Sequence, residues 1–273
     1  MTPEAALAIV PALGGADATI TAIAGGLTNR TFRVDSEIGI FFLRLDDEHT
    51  GIFNLDRQTE LFVLETASAQ GLAPEIVYSD LQQGILLSRL IEGETWCVRD
   101  LAAPANIKAL GELLQRVHAL PPSGVSFDAQ AISRHYADNL LSRSSLLTFA
   151  GKCVEIIAAI PPAGALTCCH NDVVLENLIG MENPVLIDWE YACDNDPLFD
   201  LASLIGYHDL PETLATELLK AYAGEPADRF RERLDTQLRL YDAMQWLWLA
   251  NRQVISPDEN QAARLEQLRQ RIR

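Results

Sequence analysis

Near residue 100 the spacing of apolar residues changes from alternation in twos to a helical stripe. That switch restricts the chain to an α+β architecture, a small sheet followed by a larger, mainly helical part. Before it, residues 18–24 (ATITAIA), 30–34 (RTFRV) and 38–45 (IGIFFLRL) are separated by Gly25-Gly26 and by Asp35 to Glu37. Three antiparallel strands joined by tight turns are expected there. The run NLDRQTELFVLETASAQG places Leu61, Leu64, Ala67 and Ser68 at helical spacing, with Gly71 as the stop. EIVYSD and GILLSRLI, around a Gln82-Gln83-Gly84 turn, supply two more strands. Beyond the switch, Ile107, Leu110, Leu113, Leu114 and Val117 form one stripe over residues 105–119, ended by Pro121-Pro122. Helical patterns recur near 129–147, 150–159, 198–206, 211–223, 228–252 and 257–272, and one β island, 166–188, interrupts them. The first residues, MTPEAALAIVPALGGAD, read as a short amphipathic helix closed by Gly14 and Gly15. The expected division is residues 1–91 and 92–273, with a hinge at Ile91-Glu92-Gly93-Glu94.

Charge narrows the function. Asp and Glu outnumber Lys and Arg by 38 to 21, a net −17, which repels nucleic acid and anionic membranes and draws small cations. No stretch approaches the roughly 20 apolar residues of a membrane span, and the N-terminus lacks the basic region of a secretory signal. Five cysteines without CxxC spacing fit reduced thiols and a cytoplasmic setting better than a disulfide framework or a zinc site. Cys168 and Cys169, adjacent to His170, read as small buried hydrophobes rather than a thiol nucleophile.

The β island holds the densest polar information. In LTCCHNDVVLENLIGMENPVLIDWEYACDNDPLFDLA, two apolar strands flank a turn at Met181-Glu182-Asn183-Pro184. An antiparallel hairpin closed there puts Ile179 near Leu186 and Asn177 opposite Asp188. An amide oxygen and a carboxylate then meet at one end of the hairpin. Two hard oxygen ligands with room for water suit Mg²⁺ bridging phosphates. Asp172, five residues before Asn177, lies in the entering loop as a candidate base, and His-x-Asp-x-x-x-x-Asn before a strand ending in Asp is a phosphoryl-transfer arrangement.

HNDVVLENLI and VLIDWEYACDNDPLFDLA resemble the signature of the choline/ethanolamine kinase group of the aminoglycoside-phosphotransferase-like kinases, a superfamily that also holds bacterial thiamine kinases. The likeness runs from about residue 20 to 250 and implies a bilobal protein-kinase-like fold that uses ATP and Mg²⁺. It implies that Asp172 is the catalytic base, that Asn177 and Asp188 hold the metal, and that His170 buttresses the loop. Such kinases grip the nucleotide phosphates with a strand cation held by a helix carboxylate. Here that cation is Arg44 in FFLRL and its partner Glu60 in NLDRQTE. The first hairpin turn, AGGLTNRTF, with Gly25, Gly26, Thr28 and Asn29, is expected to cover the phosphates.

The acceptor is read from the residues after Asp188. In an extended chain Glu190 points to the same side as Asp188, beside Tyr191. Trp246 and Trp248 lie on a late helix, where residues two apart do not share a face, so at most one lines a pocket. Aromatic faces beside carboxylates suit a small-molecule cationic alcohol, with choline or ethanolamine first, thiamine second and an aminoglycoside third. The resembled choline kinases carry W-x-x-W where this chain has W-x-W. A non-catalytic kinase-like nucleotide-binding domain is the reading from another class. Asp194-Asn195-Asp196 offers a second attraction for a cation, and Asp200 is expected to fix the catalytic loop.

Overall fold

The computed structural model describes residues 1–273 apart from 14–16, 24–28, 48–49, 225–226 and 273. Strands β1 (Ala18–Ile23), β2 (Asn29–Ser36), β3 (Gly39–Asp46), β4 (Ile76–Asp80) and β5 (Ile85–Arg89) form one antiparallel sheet in the order β1-β2-β3-β5-β4. Alternation along β3 decides its faces. Phe41, Leu43 and Leu45 are buried with Val34, Ile85 and Leu87 against Ala6, Leu7, Val10 and Leu13. Arg44 and Asp46 fall on the opposite face, toward helix α2 (Arg57–Ala69), whose start Asp56 caps by accepting from the amides of Gln58 and Thr59.

Helix α1 (Pro3–Ala8) is shorter than expected. Pro11 has no amide to donate and biases Val10 away from helical backbone, so the helix closes at Ile9; the two glycines lie outside the described residues. The later chain folds into α3 (Pro104–His118), α4 (Ala129–Asn139), α5 (Ser144–Ala158), α6 (Leu198–Tyr207), α7 (Glu212–Ala223), α8 (Arg231–Ile255) and α9 (Glu259–Arg271). The single pattern over 129–147 divides at residues 140–143. Leu140 turns into the core there, and the Asn139 amide leaves its helix to donate to the Ile52 carbonyl at 3.4 Å. Helices α3 and α7 approach closely at Gly111, where a Cβ would meet the Ala221 carbonyl carbon at 2.7 Å.

One large core unites Leu110 and Leu114 of α3, Trp246 and Leu247 of α8 and Val63, Leu64 and Ala67 of α2. Helix α2 precedes the expected hinge in sequence yet packs with the helical part. The hinge segment is fastened to the β island. Gly93 has φ +145°, with Ile179 Cγ2 3.0 Å from where its Cβ would stand, and Trp96 donates its amide to Leu178 O (3.0 Å) and its indole to Gly180 O (2.7 Å).

The island itself has four short strands, β6 (Thr167–Cys169), β7 (Leu178–Ile179), β8 (Val185–Leu186) and β9 (Cys193–Asn195), paired β6 with β9 and β7 with β8. The hairpin register differs by one residue from the expectation. Leu178 faces Leu186 and Ile179 faces Val185, because Gly180 joins the turn at φ +87° and lengthens it. Asn177 is therefore opposite Ile187, whose amide donates to its carbonyl at 2.9 Å, and not opposite Asp188. Among the described residues no helix is long and apolar enough to cross a membrane.

Candidate active site

Arg44 is buried in the middle of the sheet, opposite Thr31 and Leu86. Its guanidinium forks onto Glu60 of α2, one nitrogen to each carboxylate oxygen, the second at 3.0 Å. Glu60 is itself buried and one turn into α2, so helix and strand hold the pair from both sides. Burial alone would weaken the guanidinium's hold on its proton, but Glu60 beside it raises its pKa further.

The loop after β6 is built on Asp200, in the first turn of α6 and fully buried. Its oxygens accept from the amides of His170 (3.0 Å) and Asn171 (2.7 Å) and meet His118 Nε2 at 2.9 Å. Burial opposes its ionisation, yet the hydrogen bond and charge of His118 keep the carboxyl below its ordinary range. His170 Nε2 lies 3.0 Å from the Ile187 carbonyl, its Nδ1 accepts from the Asp172 amide at 3.3 Å, and its ring packs edge-on to Trp189. The ring therefore has its proton on Nε2, and burial lowers its pKa. Asn171 holds φ +64° while its amide donates to the carbonyls of Tyr191 and Cys193 and its oxygen accepts from Asn195. Asn171 went unnoticed in the sequence and Asn195 was read only as part of the acidic run, since short amides in loops carry no pattern of their own.

Asp172 and Asn177 meet where this scaffold ends, and Asp188 follows the second strand of the hairpin. The Asn177 amide nitrogen donates to the Asp172 carbonyl at 3.0 Å and to its carboxylate at 3.3 Å, which leaves the Asn177 amide oxygen as its free donor atom. Asp188 follows β8 at φ +64°, exposed to solvent. The protein mass around it, then the charges of Glu190 and Asp172, hold its carboxyl well above the ordinary range, with Arg44 pulling the other way. Burial and Glu190 push Asp172 up to about 7 against the Asn177 hydrogen bond. The charges of Glu190, Asp172, Arg44 and Glu60 all act on the Asp188 carboxyl. The model for the phosphotransferase enzyme family matches residues 19–235, spanning the sheet, this loop and the start of α8.

The chain belongs to that family. Protein LicA of Haemophilus influenzae is 26% identical over 213 residues, covering 74% of this chain and 62% of that protein, so the match spans under two thirds of the curated relative. A choline/ethanolamine kinase family protein of Mesorhizobium loti is 26% identical with a TM-score of 0.74, covering 98% of this chain and 91% of that one. The choline kinase LicA of Streptococcus pneumoniae, at 19% identity, has a TM-score of 0.80 with 99% of each chain covered, and a LicA structure in complex with AMP has 0.77. The fold is that of the phosphotransferase kinases: an antiparallel sheet on a mainly helical body.

The other expected site residues have the following surroundings. Gly25, Gly26 and Thr28 lie outside the described residues. Asn29 donates to Glu190 at 2.7 Å and accepts from Arg57 at 2.5 Å, so its amide is engaged by protein. Glu190 is buried and bonds to Asn29 and Arg57 while its charge acts on Asp172 and Asp188. Trp246 is fully buried against Phe149 and lines no open pocket. Trp248 is half-buried, donates to the Tyr191 hydroxyl at 2.8 Å and packs on Phe53 with ring centroids 5.4 Å apart. Tyr136, hydrogen-bonded to the Phe53 carbonyl at 3.1 Å, completes an aromatic group that the sequence did not assemble.

The acidic run is structural. Asp194 accepts from the amides of Ser123 and Gly124, and Asp196 from Arg233 and the amide of Leu198. His118, Cys169 and Asp200 lie within 4.8 Å of one another, but the Asp200 oxygens are committed to two amides and the imidazole, and the Cys169 thiol donates to the Asn195 carbonyl. Burial pushes the neighbouring Cys168 thiol up to about 12, which removes it as a nucleophile at neutral pH.

Proposed function

We propose that this chain is an ATP- and Mg²⁺-dependent kinase that transfers the γ-phosphate to the hydroxyl of a cationic alcohol, choline or ethanolamine in kind. The observation that supports this reading is the Asp172–Asn177 contact beside a hairpin that ends in Asp188, together with the buried Arg44–Glu60 pair, in a chain of the phosphotransferase family. Asp172 is the base. A carboxyl pushed up to about 7 is matched to taking a proton from an alcohol near neutral pH, and the Asn177 amide fixes its orientation. Arg44, kept charged and aimed by Glu60, grips the nucleotide phosphates.

The donor set fits Mg²⁺. The Asn177 amide oxygen and the Asp188 carboxylate are hard oxygen ligands, and the crowding of Asp188 by Glu190 and Asp172 is relieved by a bound dication. When bound, that ion supplies charge neutralisation at the phosphates. The cationic end of the acceptor is read by Tyr191, Trp248 and their neighbours, through aromatic faces and the net negative charge of the chain.

Turnover of Mg-ATP measured with choline, ethanolamine, thiamine and kanamycin tests this directly. Phosphorylation of choline or ethanolamine with the highest kcat/KM is expected. Preference for thiamine or kanamycin moves the substrate within the class, and nucleotide binding without transfer to any acceptor overturns the kinase reading.

A further inference from the structure

Arg57 opens α2, and nothing in the spacing of the sequence marks it out from the other charged residues on that helix. In the structure its largely buried guanidinium reaches four acceptors on four separate segments. Nη2 meets Asp46 Oδ1 at the end of β3 (2.9 Å) and Asn29 Oδ1 at the start of β2 (2.5 Å). Nη1 meets Glu60 one turn further along α2 (2.8 Å) and Glu190 in the helical part of the molecule (3.2 Å). Asn29 closes the ring, because its amide nitrogen donates to the same Glu190 oxygen at 2.7 Å. Asn29 and Asp46 are themselves opposite one another in the β2–β3 ladder.

We infer that Arg57, Asn29 and Glu190 form a clasp between the sheet and the catalytic half, which sets the spacing between the Arg44–Glu60 pair and Asp188 and makes Arg57 a positioning residue for transfer. The inference rests on the kinase reading for its catalytic consequence and on geometry alone for the clasp. Three observations carry it. Arg57 shares Glu60 with Arg44, so the cation that grips the nucleotide and the cation that reaches the other half are registered on one carboxylate. Glu190 is buried, and a buried carboxylate is tolerated only where it is paired, so the chain around it is held to the sheet. Asp188, two residues earlier, holds a left-handed backbone that a residue with a Cβ adopts only when its surroundings enforce it. On one side that enforcement is the bond from the Ile187 amide to Asn177, and on the other it is Glu190 in the clasp. A planar fork with five donors spans these acceptors, whereas a lysine ammonium presents one point of charge. Glu190 thus serves closure, and recognition of the acceptor's cation falls to the aromatic side chains.

The test uses the full chain and Arg57→Ala, Arg57→Lys, Glu190→Gln and the Arg57→Ala/Glu190→Gln pair. With the acceptor the wild type phosphorylates, Arg57→Ala is expected to lower kcat by about 10- to 100-fold, with the acceptor KM changed less than about threefold. Arg57→Lys should give little rescue, and the double variant should be no worse than the worse single one. Full activity in Arg57→Lys, or losses that multiply in the double variant, would overturn the clasp. Hydrogen exchange of the nucleotide-free protein reads it without any turnover. Arg57→Ala should speed exchange in residues 29–31 and 187–192 together while leaving 240–250 of α8 unchanged. Unchanged exchange in either segment, or equal acceleration in α8, counts against it. Should the wild type phosphorylate nothing, the kinase reading fails while the exchange result still decides the clasp.

Discussion

Asp172 shows how much a single side chain owes to its neighbours. An isolated aspartate ionises near 3.9 and is a poor base toward an alcohol; burial and the charge of Glu190 push this one up to about 7, and the Asn177 amide sets its direction. Asp172→Ala removes the acceptor for the proton while leaving the Arg44–Glu60 fork intact, so kcat is expected to fall on the order of 10²- to 10⁴-fold. The affinity for nucleotide, measured by titration calorimetry with a non-hydrolysable analogue, should change by less than about threefold. Near-full turnover would remove Asp172 from the role of base. Asp172, Asn177 and Asp188 were legible in the sequence because their spacing is tied to a hairpin. Arg44 was singled out through the family resemblance, and alternation along β3 accounts for its lying on the face away from Phe41 and Leu43. The bonds of Glu190 to Asn29 and Arg57 were not legible, because they join segments far apart in the chain.

At the scale of elements, β1 to β5 and the helices from α2 onward follow their apolar periods closely. What the periods do not carry is the pairing of pieces too short to have one. Strand β9 is three residues of Cys, Asp and Asn, stabilised by tertiary partners that no local pattern reports, and the one-residue shift in the β7–β8 hairpin depends on whether Gly180 belongs to strand or turn. Helix α6 makes its contribution through Asp200, which accepts from the amides of His170 and Asn171 at the start of the loop that holds Asp172. A carboxyl held below its unfolded value stabilises the fold above about pH 3.9, and that contribution is lost as pH falls through the still lower folded value. Asp200→Asn is therefore expected to cost about 3 kcal/mol at pH 7. The difference from the wild type should narrow toward pH 3, as followed by urea unfolding at both pH values. A difference that stays constant with pH would mean the loop is held by shape and not by this charge.

The whole molecule adds a long-range field that no pocket residue accounts for. Its net charge of −17 concentrates cations near its surface and repels ATP, so on the proposed function the Arg44–Glu60 fork and a dication would hold the nucleotide against that field. The proposed cationic acceptor would gain from the same field before it touched the aromatic side chains. Salt separates the two contributions, because the Debye length shrinks from about 10 Å at 0.1 M to about 3 Å at 1 M while contact with an aromatic face is little screened. Choline and its neutral isostere 3,3-dimethylbutan-1-ol differ only in the charge of the quaternary centre. Raising NaCl from 0.05 to 0.5 M should raise KM for choline by roughly two- to fivefold and leave that for the isostere unchanged, at saturating Mg-ATP. The ratio of their kcat/KM values remaining at high salt then measures what Tyr191, Trp248 and Phe53 contribute through contact alone. Parallel salt dependence of the two acceptors would show that the acidic surface plays no part in gathering substrate and that selection is made entirely at the aromatic group.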